Sequence, residues 1–73
     1  MRFAIEQRLR MIDFLLAHYG WVNRSTIGEL YGIINVQVTS DFNTYKELAP
    51  GNMAYNGSTK RYERQPEFQR LYE

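Results

Sequence analysis

The chain contains no cysteine and one histidine, His18. Disulfides, thiolate metal sites and multi-histidine centres are therefore excluded, and a reducing compartment suits the composition. No apolar run reaches the roughly 18 residues that a bilayer crossing requires. The opening MRFAIEQRLRMIDF also lacks the unbroken apolar stretch and small-residue cleavage site of a secretory signal. The sequence thus reads as cytoplasmic, with no membrane partner, and its Asn-x-Ser triplets at Asn23 and Asn56 as coincidence. Excess charge is lacking too. Nine Lys and Arg against eight Asp and Glu leave a net charge of +1, less basic than nucleic-acid binders usually are. The distribution is more suggestive: Lys60, Arg61 and Arg64 cluster, with Arg70 beyond, while the acidic residues are scattered.

What is present is a core. The 73 residues, 44% hydrophobic with eleven aromatics, suffice for one small domain over 1–73, near the lower limit for folding without a covalent or metal staple. Ile5, Leu9, Ile12, Leu16 and Tyr19 recur at helical spacing, so a first helix is expected from about residue 4 to 19, stopped by Gly20. Met11, Phe14 and Leu15 widen its apolar face, which suits either a central helix or a dimer surface. Asn23 is a good N-cap for a second helix with Arg24 in its first turn and Ile27, Leu30 and Tyr31 inward. Gly32 ends that helix, and Ile33 anchors the turn. A third helix, about 36–48, should bury Val38, Phe42, Tyr45 and either Leu48 or Ala49, with Asn35 the best available cap and Pro50-Gly51 as its stop.

Beyond Gly51 the period changes. Met53–Tyr55 and Lys60–Tyr62 flank Asn56-Gly57-Ser58-Thr59, a strong hairpin signal. A two-residue turn would pair Tyr55 with Ser58. A four-residue loop would pair Tyr55 with Lys60 and Met53 with Tyr62, and is preferred because those pairs bury more surface. Phe68, Leu71 and Tyr72 suggest a closing segment that packs back. The resulting fold class is α+β, mainly α: a winged helix-turn-helix with a three-helix core and a C-terminal two-stranded wing.

The third helix carries the functional signal. Gln37, Thr39, Ser40, Asn43 and Thr44 are offset from its buried residues, and most are mediocre helix formers that surface positions rarely favour. Such short hydrogen-bonding side chains are suited to base edges in a DNA major groove, although an ordinary solvated face is the plainer explanation. Arg24 is placed either for a phosphate or simply for solvent. Lys60 and Arg61 would touch phosphate or the minor groove, or else only guard the hairpin edge against pairing. Tyr55 and Tyr62 read as packing residues, and Asp41 as a partner for Arg24 or a local cap. His18 needs no more than the dipole at a helix C-terminus. Asp13, Glu29 and Asp41 fall on separate elements, and no nucleophile–base pair, phosphate loop or metal spacing is visible. No enzyme activity, metal, cofactor or small-molecule site is expected.

Asn23-Arg24, Tyr31-Gly32-Ile33, Gln37 through Phe42, Tyr45, Ala49-Pro50, Asn52-Met53, Tyr55 and Lys60-Arg61-Tyr62 fall in the order and spacing of a known module. Over roughly residues 8–72 the chain resembles the N-terminal winged helix-turn-helix of WYL-domain transcriptional regulators, especially repressors of phage-defence operons. The resemblance implies sequence-specific binding of double-stranded DNA as a homodimer on an inverted repeat. Two features depart from the pattern. The serine that follows the turn isoleucine in the family is here Ile34, leaving Asn35 as the substitute cap, and the WYL and C-terminal domains are not part of this sequence. A fragment and a stand-alone small regulator both fit. A winged-helix module that docks a protein, such as a small phage-encoded inhibitor or adaptor, is the alternative from another class.

Overall fold

The computed structural model describes residues 3–72. Helix α1 (Phe3–Tyr19) is followed by a short strand β1 (Trp21–Val22), helices α2 (Arg24–Tyr31) and α3 (Asn35–Leu48), and strands β2 (Met53–Asn56) and β3 (Arg61–Arg64). The strands form one antiparallel sheet in the order β1-β3-β2. This is the expected winged helix-turn-helix, with a third strand that the sequence did not suggest. At two residues β1 is too short to display a period. It arises because Gly20, at φ 83°, ends α1 in the left-handed region and its carbonyl accepts the Arg64 amide at 2.9 Å, laying Trp21 and Val22 beside β3.

Leu9, Ile12 and Leu16 of α1 pack with Val22, Ile27, Val38, Phe42, Tyr45 and Met53. Ile33 and Ala49 are half-buried against this core, as is the closing segment through Phe68, Leu71 and Tyr72. The helical spacing overstated the core at its ends. Tyr19 and Leu30 lie in the last turns of α1 and α2, beyond the neighbours that cover Leu16 and Ile27, and are 67% and 57% exposed. Ile5 is only half-buried, and Ala49 rather than Leu48 takes the inward place at the end of α3.

The hairpin has four residues in its loop, but its register is displaced by two from the expected one. Tyr55 faces Tyr62 and Met53 faces Arg64, with Asn56 opposite Arg61. A two-residue slip keeps every side chain on its original face, so alternation in the sequence cannot distinguish the two registers. Local chemistry decides. The Asn56 side-chain oxygen accepts the Ser58 and Thr59 amides at 2.9 and 3.3 Å, its carbonyl accepts the Lys60 amide at 2.7 Å, and Lys60 closes the loop at φ 60°. Tyr62 then stacks on Phe42 with ring centroids 4.1 Å apart, fixing the wing to α3. Tyr55 packs edgewise on Tyr62 but stays half-exposed.

Carboxylates are the part of the interior that the sequence concealed. Asp13 is fully buried in α1, where it accepts hydrogen bonds from the Tyr45 hydroxyl (2.5 Å), the Arg70 guanidinium (2.7 Å) and the amides of Leu71 (2.9 Å) and Tyr72 (3.0 Å). Asp41, expected to pair with Arg24 or to cap locally, instead receives a two-pronged ion pair from Arg8 across the α1–α3 interface. Burial alone would raise the Asp13 pKa. The Tyr45, Arg70, Leu71 and Tyr72 donors outweigh burial and hold the carboxyl below its usual value of 3.8. Its contribution to stability is therefore complete above that value and lost as pH falls through the lower folded one.

Asp13→Ala is expected to cost about 3 kcal/mol in urea unfolding, since it strands donors worth about 1–3 kcal/mol each. Asp13→Asn should in addition flatten the decline in stability that the parent shows below about pH 4. A loss under about 1 kcal/mol in Asp13→Ala would contradict this account of the core, because that is the bottom of the range for even one stranded donor.

Candidate nucleic-acid interface

Asn23 begins α2 as expected. Its side-chain oxygen accepts the Thr26 amide at 2.9 Å and the Thr26 hydroxyl at 2.7 Å, while Gly32 closes the helix in the left-handed region at φ 64°. This fixes Arg24 as the first helical residue, exposed, with Nη1 donating to Thr39 Oγ1 of α3 at 3.4 Å. The start of α2 is thereby joined to the outer side of α3. Helix α3 itself begins at Asn35, with Ile34 in the cap position and no side-chain cap, so Asn35 does not take that role. Having entered the first turn, Asn35 has its own amide inside the helix and is no longer placed to cap it.

Asn35 lines a shallow hollow of about 360 Å³ instead, together with Asn23, Arg24, Ser25, Thr59 and Lys60. The start of α2, the start of α3 and the tip of the wing converge there. Among the described residues its lining is polar or basic and contains no carboxylate. The wing approaches α2 closely enough for Arg24 to act on Tyr62. Burial pushes the Tyr62 hydroxyl pKa up, the nearby Arg24 cation opposes the rise, and Tyr55 adds to it.

The side chains singled out on α3 divide into two sets. Ser40 and Asn43 are exposed on the side of α3 away from the core, and Thr39 is half-buried under Arg24, which lines the hollow. Gln37 and Thr44 lie on the flank toward α1. The Gln37 amide donates to Asp41 Oδ1 at 3.2 Å, and the Thr44 hydroxyl donates to the Ser40 carbonyl at 3.0 Å. Thr44 also lines a separate groove with Ile5, Glu6, Leu9, Leu48 and Tyr72. Lys46, exposed and basic, follows Thr39 and Asn43 at i+7 and i+3, on the side of α3 they share. That spacing was present in the sequence as a signal.

The basic cluster seen in the sequence is dispersed. Arg64 turns away from the wing tip and donates to the Leu16 and Ala17 carbonyls at 3.3 and 2.8 Å, completing the end of α1. Arg70 serves Asp13. Arg61 lies over the Trp21 ring, 4.3 Å from its centroid, with Nη2 3.6 Å from Glu63 Oε2. Lys60 alone of the group lines the hollow. Ser25 and Thr59 had no distinguishing sequence pattern, because only the closing of the wing against α2 brings them together. His18 packs on Phe14 at 4.2 Å.

A family model described as the BrxR transcriptional regulator winged helix-turn-helix domain matches residues 4–72. The chain belongs to this family. It is also similar to proteins named DNA-binding transcriptional repressor CapW. The Escherichia coli (strain KTE188) protein is 37% identical over 71 residues, covering 97% of this chain and 24% of the relative. The Pseudomonas aeruginosa protein is 31% identical with the same coverage, and the Stenotrophomonas maltophilia protein 32% identical over 68 residues, 93% of this chain and 23% of the relative. The chain thus spans about a quarter of the length of these curated relatives. The resemblance to the N-terminal module of WYL-domain regulators is borne out, as is the winged helix-turn-helix class. No helix among the described residues is long and apolar enough to cross a membrane.

Asn23→Ala removes the side-chain cap that positions Arg24. It is expected to lower unfolding free energy by about 1 kcal/mol, read by urea denaturation. An unchanged midpoint would mean that the cap does not set the start of α2.

Proposed function

We propose that this chain binds double-stranded DNA sequence-specifically and represses transcription by occupying a promoter. The observation that carries the reading is the convergence of Arg24, Asn35 and Lys60 on one carboxylate-free hollow beside the outer face of α3. Two cations gathered at the start of a polar helix provide phosphate anchors beside a base-reading surface. The names of the CapW relatives support the same reading. Ser40 and Asn43 are the principal base contacts: Asn pairs with adenine through two hydrogen bonds, and Ser accepts several edges. Thr39 holds Arg24 in position. Gln37, Thr44 and Arg61 take secondary places, since each is already engaged by a neighbour.

Few cations face the site, so one copy has a small phosphate term and a weak grip. A homodimer on an inverted repeat, with half-sites about one helical turn or 34 Å apart, supplies the remaining affinity. Such a regulator works in the cytoplasm, where the DNA is.

Selection from a random duplex pool, followed by titration of the selected duplex at several salt concentrations, tests this. Affinity should fall steeply between about 50 and 200 mM salt. Arg24→Ala and Lys60→Ala should weaken all sequences alike and each reduce the salt slope by about 1. Asn43→Ala should instead relax preference at one base pair, by about 1–3 kcal/mol. If no duplex is enriched, the chain acts on another partner, and a docked protein becomes the better reading; if a duplex binds and Arg24→Ala and Lys60→Ala leave its affinity untouched, the hollow is not the phosphate site.

A further inference from the structure

The first turn of α3 carries an exposed apolar side chain that the fold does not use. Val36 is 76% exposed, and Ile34 just before it is 73% exposed. Neither belongs to the core or to the residues packed against it. Valine is also a poorer helix former than alanine, so local propensity gives no reason for it at an exposed helical position. Its location is informative. Val36 precedes Ser40 and Asn43 by four and seven residues, so all three share one side of the helix, opposite the buried Val38, Phe42 and Tyr45. Its neighbour Asn35 lines the hollow with Arg24 and Lys60.

Resting on the DNA-binding reading above, we infer that Val36 is a specificity-determining residue that packs against the 5-methyl group of a thymine in the major groove. The N-terminal residues of a recognition helix are the ones that reach base edges. The thymine methyl is the sole apolar group that the four base pairs present on the major-groove floor, and an aliphatic side chain is its complement. Polar Ser40 and Asn43 read hydrogen-bonding edges further along the same face, while Val36 supplies the contact that hydrogen bonds cannot. A β-branched side chain suits this task, because its restricted χ1 presents the methyls without loss of rotamer freedom on binding.

The test uses the selected duplex with each thymine replaced in turn by deoxyuridine, which removes only the methyl group. At one thymine per half-site the parent chain should bind about fourfold more weakly, the worth of one methyl withdrawn from water. Val36→Ala should bind the thymine and deoxyuridine duplexes equally while melting no lower than the parent and keeping its preferences at the positions read by Asn43. Two results overturn the methyl contact but leave DNA binding standing: deoxyuridine without effect at every position, or the same loss persisting in Val36→Ala. A selected site that lacks thymine overturns it too. Failure to enrich any duplex overturns this inference and the DNA-binding reading together.

Discussion

Much of this molecule depends on one carboxylate. Asp13 lies fully buried in α1 and gathers donors from α3, through Tyr45, and from the closing segment, through Arg70, Leu71 and Tyr72. A charge in that position is tolerated only because its lone pairs are occupied. Its partner Tyr45 also accepts a hydrogen bond from Asn52 at 3.0 Å, and Asn52 in turn holds both the amide and the carbonyl of Gln69. Burial and the adjacent Asp13 raise the Tyr45 pKa strongly, so the hydroxyl remains the donor. Helix α3, the turn into β2 and the segment 69–72 are thus tied through a single node. Arg8 and Asp41 make a second polar tie between α1 and α3, and a small domain without cysteine gains orientation from both.

That orientation positions the outer face of α3. Phe42 and Tyr45 root the helix, Tyr62 stacks the wing on Phe42, and the left-handed Lys60 brings the wing tip round to the start of α2. A nearly neutral protein can offer a polyanion a favourable surface in this way. The charge need not be large if several carboxylates are engaged elsewhere: Asp13 and Asp41 are buried in ion pairs and Glu63 faces Arg61 on the wing, while Glu47 stands exposed on α3 four residues beyond Asn43. Arg24 and Lys60 remain on the hollow without an acidic neighbour in its lining. Distribution, rather than net charge, sets the local field.

The helix-turn-helix was legible because its signals are local. Asn23 as a cap, Gly20 and Gly32 as left-handed stops, and Val38, Phe42 and Tyr45 at helical spacing each act within a turn or two of chain. The exposed placement of the proposed contacts Arg24, Ser40 and Asn43 was legible for the same reason, since it follows from where α2 and α3 begin. What escaped depends on distant partners. Gln37 and Thr44 share the polar character of Ser40 and Asn43, yet the approach of α1 places them on a different flank. The run of basic residues around the wing separates because Arg64 finds helix carbonyls and Arg61 finds an indole ring.

By itself, then, the amino-acid order determined the three helices, their ends apart from the uncapped start of α3, the hairpin and the polar character of the α3 surface, because capping, turn chemistry and apolar periodicity are short-range. Only the tertiary structure decided the third strand, the packing of the wing on α3, the partners of Asp13 and Asp41, and which polar and basic groups share one face. Those outcomes turn on whether Tyr62 meets Phe42 and whether a buried charge meets its donors. Such contacts join residues tens of positions apart, and no local pattern in the chain encodes them.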